Sequence, residues 1–171
     1  MRILHLSLLL ALIPLAMPCS AQTGTVTFYS IQPTARQQIA DTLTPFGTVA
    51  FTGLIYDGNQ LMAHARRGRF VSFHVPVGEH QFSASYRRLD HGDPAVHFNV
   101  ENGGYYCVRL SASYRSGSPF IPIGVVHSII EQVPCAEAFR EAGSYKRLDA
   151  KRIEATARAE LVASPTFPSH D

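Results

Sequence analysis

The feature that most constrains this chain is a rhythm of short apolar runs, each closed by turn residues. Residues 25–31 are β-branched and aromatic and read as a first strand. A second run, 49–56, ends at the turn signal Asp57-Gly58-Asn59. Residues 60–65 and 69–75 read as a hairpin about Arg67-Gly68. In its second arm Val71, Phe73 and Val75 alternate with Phe70, Ser72 and His74, so one face is apolar. Pro76-Val77-Gly78-Glu79 is a turn, and residues 80–87 continue as a strand with Phe82, Ala84 and Tyr86 on one face. After a turn at residues 90–94, runs 95–100 and 105–113 read as a second hairpin across Glu101-Asn102-Gly103-Gly104. A Gly/Ser/Pro loop over 116–122 then precedes a last strand at 125–133. The 12 glycines and 11 prolines supply the turns such a rhythm needs. The pattern predicts a mainly β protein, an antiparallel sandwich or partly open barrel.

The two ends read differently. Arg2, the apolar run over residues 3–13 and the small residues at Cys19-Ser20-Ala21 form a leader of the secretory type, predicted to be cut after Ala21. Cys19 raises a lipoprotein alternative, membrane anchoring through lipidation. Against it, Leu15 stands one position too early and Pro18 fills a place that takes a small residue. The run is too short to span a membrane. The predicted organisation is a leader over 1–21, a β-sandwich over 22–134, a short C-terminal helical segment over 135–163 and a frayed tail over 164–171. Within these, residues 36–39 are expected to form a helical turn, and 136–142 a short helix closed by Gly143. Residues 153–161 alternate like a strand, but their Ala, Arg and Glu content predicts helix.

Removal of the leader leaves two cysteines, Cys107 and Cys135. An even count in an oxidising compartment predicts one disulfide, worth about 3.5 kcal/mol for a loop of this length. The full chain of 171 residues has a net charge of +2, too near balance for the global footprint of a nucleic-acid binder. Its 46% apolar content excludes wholesale disorder.

Two stretches carry a likeness: Val75-Pro76-Val77-Gly78-Glu79-His80, and Gly103-Gly104-Tyr105-Tyr106-Cys107-Val108-Arg109-Leu110. The chain resembles a bacterial family of uncharacterised exported proteins and lipoproteins with small β-sandwich domains. The family shares a proline-x-glycine-x-histidine turn, followed by a glycine and paired tyrosines. Phe28-Tyr29 and Tyr56-Asp57-Gly58 fit as well. The resemblance covers roughly residues 24–133 and implies an immunoglobulin- or transthyretin-like sandwich in the cell envelope, with no catalytic residues to carry over. Read physically, Pro76 pre-sets a turn in which Gly78 takes positive φ, and Gly103 and Gly104 do the same before the aromatic strand. Tyr105 and Tyr106 must face opposite sides of the sheet, so at most one lies fully in the core.

Candidate sites are few. Arg66, Arg67 and Arg69 form a basic knot, with Arg87-Arg88 a second, suited to an anionic headgroup, polysaccharide or acidic protein. A charged tip that discourages edge pairing accounts for the same residues. Phe120 and Ile121 place apolar side chains in the 116–122 loop, as a docking loop or a fold-back over the sheet end. His64, His74, His80, His91 and His97 lack the ligand spacing of a metal centre, and Asp90 and Asp93 are near them in sequence only. His74 and His80, flanking the Pro76 turn, are the pair expected to become cross-strand neighbours. No nucleophile elbow and no phosphate-cradling loop occurs. The sequence therefore predicts a non-catalytic exported module without cofactor or metal, contacting an envelope protein or polysaccharide; a small-ligand or metal-binding exported domain is the alternative.

Overall fold

Strand β1 (Thr23–Ser30) sets the frame, because its side chains alternate between two buried environments. Val26 and Phe28 enter the main core, whereas Thr27 and Tyr29 point to the opposite face. The computed structural model describes residues 22–33, 46–86, 94–118 and 121–162. The predicted leader, the helical turn predicted at 36–39, Arg87, Arg88, Asp90, His91, Asp93, Phe120 and the tail predicted at 164–171 lie outside the described residues. After β1 come β2 (Phe46–Ala50), β3 (Leu54–Asp57), β4 (Gln60–His64), β5 (Arg69–Pro76) and β6 (Gly78–Ser85). There follow β7 (Ala95–Val100), β8 (Tyr105–Ser118), β9 (Ile121–Val133), helix α1 (Cys135–Ala142) and the two-residue strand β10 (Lys146–Arg147). Two 3-10 turns, Ala150–Arg152 and Thr156–Glu160, end the described chain.

The strands form a six-stranded and a four-stranded sheet among the described residues. In the larger, β10, β5, β1 and β8 are successive neighbours, and β9 and β2 both pair with β8. Because β9 runs alongside nearly all of β8, strands β1 and β2 share the other edge of β8 end to end. The smaller sheet has the order β4-β3-β6-β7. Pairing is antiparallel apart from β1 with β8 and β10 with β5. The sheets pack face to face as a sandwich around one core. Phe28 of the first sheet meets Phe82 of the second edge-on at 5.2 Å between ring centroids, and its sheet neighbour Phe73 at 6.3 Å. Ile55, Met62, Val71 and Leu110 fill the space around them. Each such side chain contributes about 1.5–3 kcal/mol by leaving water.

Three expected local connections prove to be crossings between sheets. β4 belongs to the smaller sheet and β5 to the larger, so Arg67-Gly68 joins sheets rather than closing a hairpin. Its amides are used elsewhere: Ala65 N–H donates to Gly53 O and Gly68 N–H to Ser30 O. Likewise β7 and β8 lie in different sheets, so residues 101–104 are a crossing too. The single run expected over 49–56 splits into β2 and β3 in different sheets. Between them Phe51 is fully buried, and at Gly53 a Cβ would fall 2.4 Å from Ser85 O, so the chain turns where only glycine fits. In each case two apolar faces meet across the core instead of side by side, which sequence alternation alone does not distinguish. The expected loop over 116–122 is shorter than predicted: β8 and β9 stay paired out to Ser118 and Ile121.

Beyond β9 the chain returns to the sandwich. Helix α1 includes Cys135 as well as the predicted 136–142, and Gly143 N–H donates to Phe139 O at its end. Ala138 and Ala142 pack on Tyr29, Cys107 and Val133, covering the outer face of the larger sheet. Residues 146–162 then run along the open side of the sandwich, bonding to both of its edges. Leu148 N–H donates to Phe70 O and Val162 N–H to Ser72 O on β5; Glu154 N–H donates to Met62 O on β4. Ile153 and Leu161 form isolated bridges with Ala63 and Phe73. This strap overturns the helix predicted over 153–161. Backbone groups that a helix would use internally are taken by sheet edges, and only the 3-10 turns survive. The predicted stripe is kept: Ile153 and Ala157 are buried and Leu161 packs on the same core.

Candidate functional site

The basic knot lies at one end of the sandwich. The connection from β4 to β5 is tight, with Arg69 N–H donating to Arg66 O, and it leaves Arg66 and Arg67 exposed. Arg69 opens β5 half-buried, and its Nη1 donates to the carbonyl of Arg147, 3.2 Å away. That carbonyl is there because β10 pairs with Arg69 and Phe70, placing Lys146 beside Arg69 in register. From Phe70 on β5 the strap crosses to Ala63 on β4, carrying Lys151 and Arg152 over the same end. Seven cations thus gather where two segments cross between the sheets: Arg66, Arg67, Lys146 and Lys151 are exposed, whereas Arg69, Arg147 and Arg152 are half-buried, with Arg147 Nη2 donating to Val162 O. The sequence holds no Asp or Glu from Gly58 to Gly78 or from Ala142 to Leu148. Asp149 is the acid in the crossing strap, and Glu154 beyond it contacts His64 Nε2 at 3.2 Å. A small cleft lies beside this end, lined by Phe28, Ile55, Leu110 and Leu148 together with Arg66 and Arg69.

Four of these cations were not picked out from the sequence. Lys146-Arg147 is visible as a dipeptide, but its pairing with β5 depends on a turn after α1 that no motif announces. Of the other residues singled out, Ile121 begins β9. Pro76 ends β5 and Gly78 opens β6, so their turn also links the two sheets. Gly78 and Gly103 have φ of 140° and 71°, as a turn requiring glycine predicts. Gly104 differs: its constraint is the Tyr106 ring, whose Oη would lie 2.7 Å from a Cβ there. Tyr106 packs on the main core and Tyr105 on the cluster under α1, both half-buried.

His74 and His80 are not cross-strand neighbours, since β5 and β6 belong to different sheets. His74 is exposed. His80 Nδ1 lies 2.8 Å from Asp57 Oδ2 and its Nε2 3.0 Å from Pro76 O, with its ring stacked on Phe82. Both nitrogens face acceptors, so only the imidazolium donates to both at once. Glu160 approaches the same pair, and burial, then the Asp57 charge, push its carboxyl above the ordinary range while His80 opposes them. Among the described residues no set of three His, Cys, Asp or Glu side chains is placed to hold a metal ion.

The outer face of the larger sheet carries a second polar cluster. Cys107 and Cys135 are joined there, with Cα atoms 5.2 Å apart, tying β8 to the first residue of α1. One strand position further, Arg109 Nε donates to Glu131 Oε1 at 2.8 Å. Its Nη1 donates to Glu137 Oε1 and Glu141 Oε1 at 2.9 and 2.7 Å. The bond to Glu131 and the surrounding carboxylates raise the Arg109 pKa further against the cost of burial. Tyr29 Oη donates to Glu141 Oε2 at 2.7 Å; burial of the ring, then that bond, hold its hydroxyl well above the usual range. Every member is engaged with another, which is the arrangement of a clamp on α1. Compared with protein-family models, curated proteins and solved structures, the chain has no significant match.

Proposed function

We propose that this protein is a non-catalytic module exported to the cell envelope that binds an acidic partner, a protein or polysaccharide, through its basic end. The observation that carries the reading is the gathering of seven cations at one end of a chain whose net charge is only +2. Self-repulsion disfavours such a concentration, and a negatively charged partner relieves it. The leader over 1–21 and the Cys107–Cys135 bond support export, because disulfides persist in oxidising compartments. The immunoglobulin- or transthyretin-like type of sandwich, implied by the likeness around Pro76–His80 and Gly103–Leu110, belongs to the same proposal. The alternative of a small-ligand site has its best locus in the cleft beside Arg66. That cleft has room for about one water molecule, far below the roughly 300–1,000 Å³ of ligand pockets.

Intact mass of the protein recovered outside the cytosol, with and without reductant, tests export. The expected species begins at Gln22, carries no lipid and gains about two daltons on reduction, as one S–S bond becomes two thiols. Binding is tested by salt-sensitive retention on an immobilised acidic polysaccharide such as polygalacturonate. A reduced cytosolic chain that keeps its leader, or the absence of any polyanion binding, overturns the reading.

A further inference from the structure

We propose that the surface this end recognises is a plane of phosphate headgroups, an anionic membrane, on which the sandwich stands upright; this rests on the binding reading above and narrows its partner. The cations do not converge on a pocket. They are spread over two crossings, Arg66 to Arg69 and Lys146 to Arg152, at the blunt end of the sandwich. An array of this kind matches many anions at once, and the adjacent cleft has room for about one water rather than for a polymer or peptide. Four of the seven, Arg66, Arg67, Lys146 and Lys151, are exposed, and the planar forks of the two arginines among them suit phosphate oxygens.

The opposite end supplies an independent argument. The β1–β5 ladder runs from Ser30 opposite Arg69 to Thr23 opposite Pro76, about 23 Å at strand rise. At the Pro76 end stand Asp57, Glu79 and Glu101, with His80 between Asp57 and Pro76 O. Among the described residues charge is therefore polarised along the strands, mostly basic at one end, where Asp149 and Glu154 are the acids, and acidic at the other. A negative plane attracts the first and repels the second, so it fixes the long axis as well as the position. A partner that wrapped the domain would meet both signs.

The test is co-sedimentation of the exported chain, from Gln22 onward, with vesicles of phosphatidylglycerol and phosphatidylcholine, and with phosphatidylcholine alone. Two variants of equal net charge are compared: Arg66→Gln/Arg67→Gln, and the control Arg140→Gln/Arg158→Gln. All four arginines are exposed, and circular dichroism melts confirm folding. Each cation near an anionic surface is expected to count for a factor of about five, so the first variant loses roughly twenty-five-fold in affinity. The control stays within about twofold, and raised salt weakens the wild type. Equal losses in the two variants, or no preference for anionic vesicles, overturn the proposal. Displacement by micromolar inorganic phosphate also overturns it, as the mark of a single-anion site. Retention on polygalacturonate without vesicle binding removes the membrane and leaves the acidic-partner reading standing; loss of both removes both.

Discussion

On the inner side of β1, Val26 and Phe28 sit among aromatic and aliphatic side chains drawn from both sheets. On the outer side of the same strand, Thr27 shares a 2.6 Å hydrogen bond with Ser72, and Tyr29 reaches Glu141 beneath α1. All four side chains are buried, yet different physics holds the two faces. The inner face is held by apolar area, which is non-directional and roughly additive. The outer face is held by discrete pairs: one disulfide, one guanidinium with three carboxylates and a few hydroxyl contacts. Single changes should therefore act on the inner face through volume and on the outer face through loss of a named partner. Phe28→Ala tests the first and should have the largest effect, about 3–5 kcal/mol in denaturant unfolding, because its ring fills the space between Phe73 and Phe82. A loss below 1 kcal/mol would place the core elsewhere.

Opening the Cys107–Cys135 bond comes next. Paired substitution by alanine should cost about 2–4 kcal/mol, less than Phe28→Ala. It should also loosen α1 first, seen as faster hydrogen exchange at residues 138–142 than in β1. Uniform acceleration across the molecule would mean that the two faces unfold as one unit and that the contrast is only local.

Arg109→Gln follows. It leaves Glu131, Glu137 and Glu141 facing one another without their cation. These carboxylates are a third exposed or more, so solvent screening limits the loss to about 1–2 kcal/mol, smaller again in high salt. Tyr29→Phe removes one bond from the same cluster and keeps the buried ring, with an expected cost of about 1 kcal/mol. If Tyr29→Phe were to cost as much as Phe28→Ala, the outer face would be as cooperative as the core.

The inner face was legible in the sequence and the outer face mostly was not. Alternation in 69–75 predicts that Val71, Phe73 and Val75 are core, and they are. Partner strands are a different matter. Two apolar faces attract equally whether joined side by side or across a core, so the crossings at 65–68, 51–53 and 101–104 read as hairpins or continuous strand. The outer cluster depends on α1 docking, and Arg109, Glu131, Glu137 and Glu141 look like ordinary surface charges until a disulfide brings them together. The strap failed for a related reason. Its propensity favours helix, but the unpaired edges of β4 and β5 compete for the same amides and win. At the basic end, half of the pattern was visible as Arg66-Arg67-Gly68-Arg69, and the other half waited on β10.

Glu160 gives the smallest effect and sharpens the contrast from the inner side. Glu131, Glu137 and Glu141 share a cation, whereas Glu160 on the strap has Asp57 near it and is partly withdrawn from water. Burial first, then Asp57, raise its carboxyl pKa in the folded protein, against the pull of His80. The native state then holds this proton to higher pH than the unfolded chain does. Across the window just above the ordinary carboxylate range, the native state binds more protons, and stability falls as pH rises through it. Glu160→Gln abolishes that dependence. Because the group is partly exposed, the gain at neutral pH should be slight, a Tm rise of about 1–2 °C. Below the ordinary carboxylate range, where glutamate is neutral in both states, the two proteins should melt together. A Tm difference that stays constant with pH would show that glutamine acts through packing, and that charge on the strap contributes nothing.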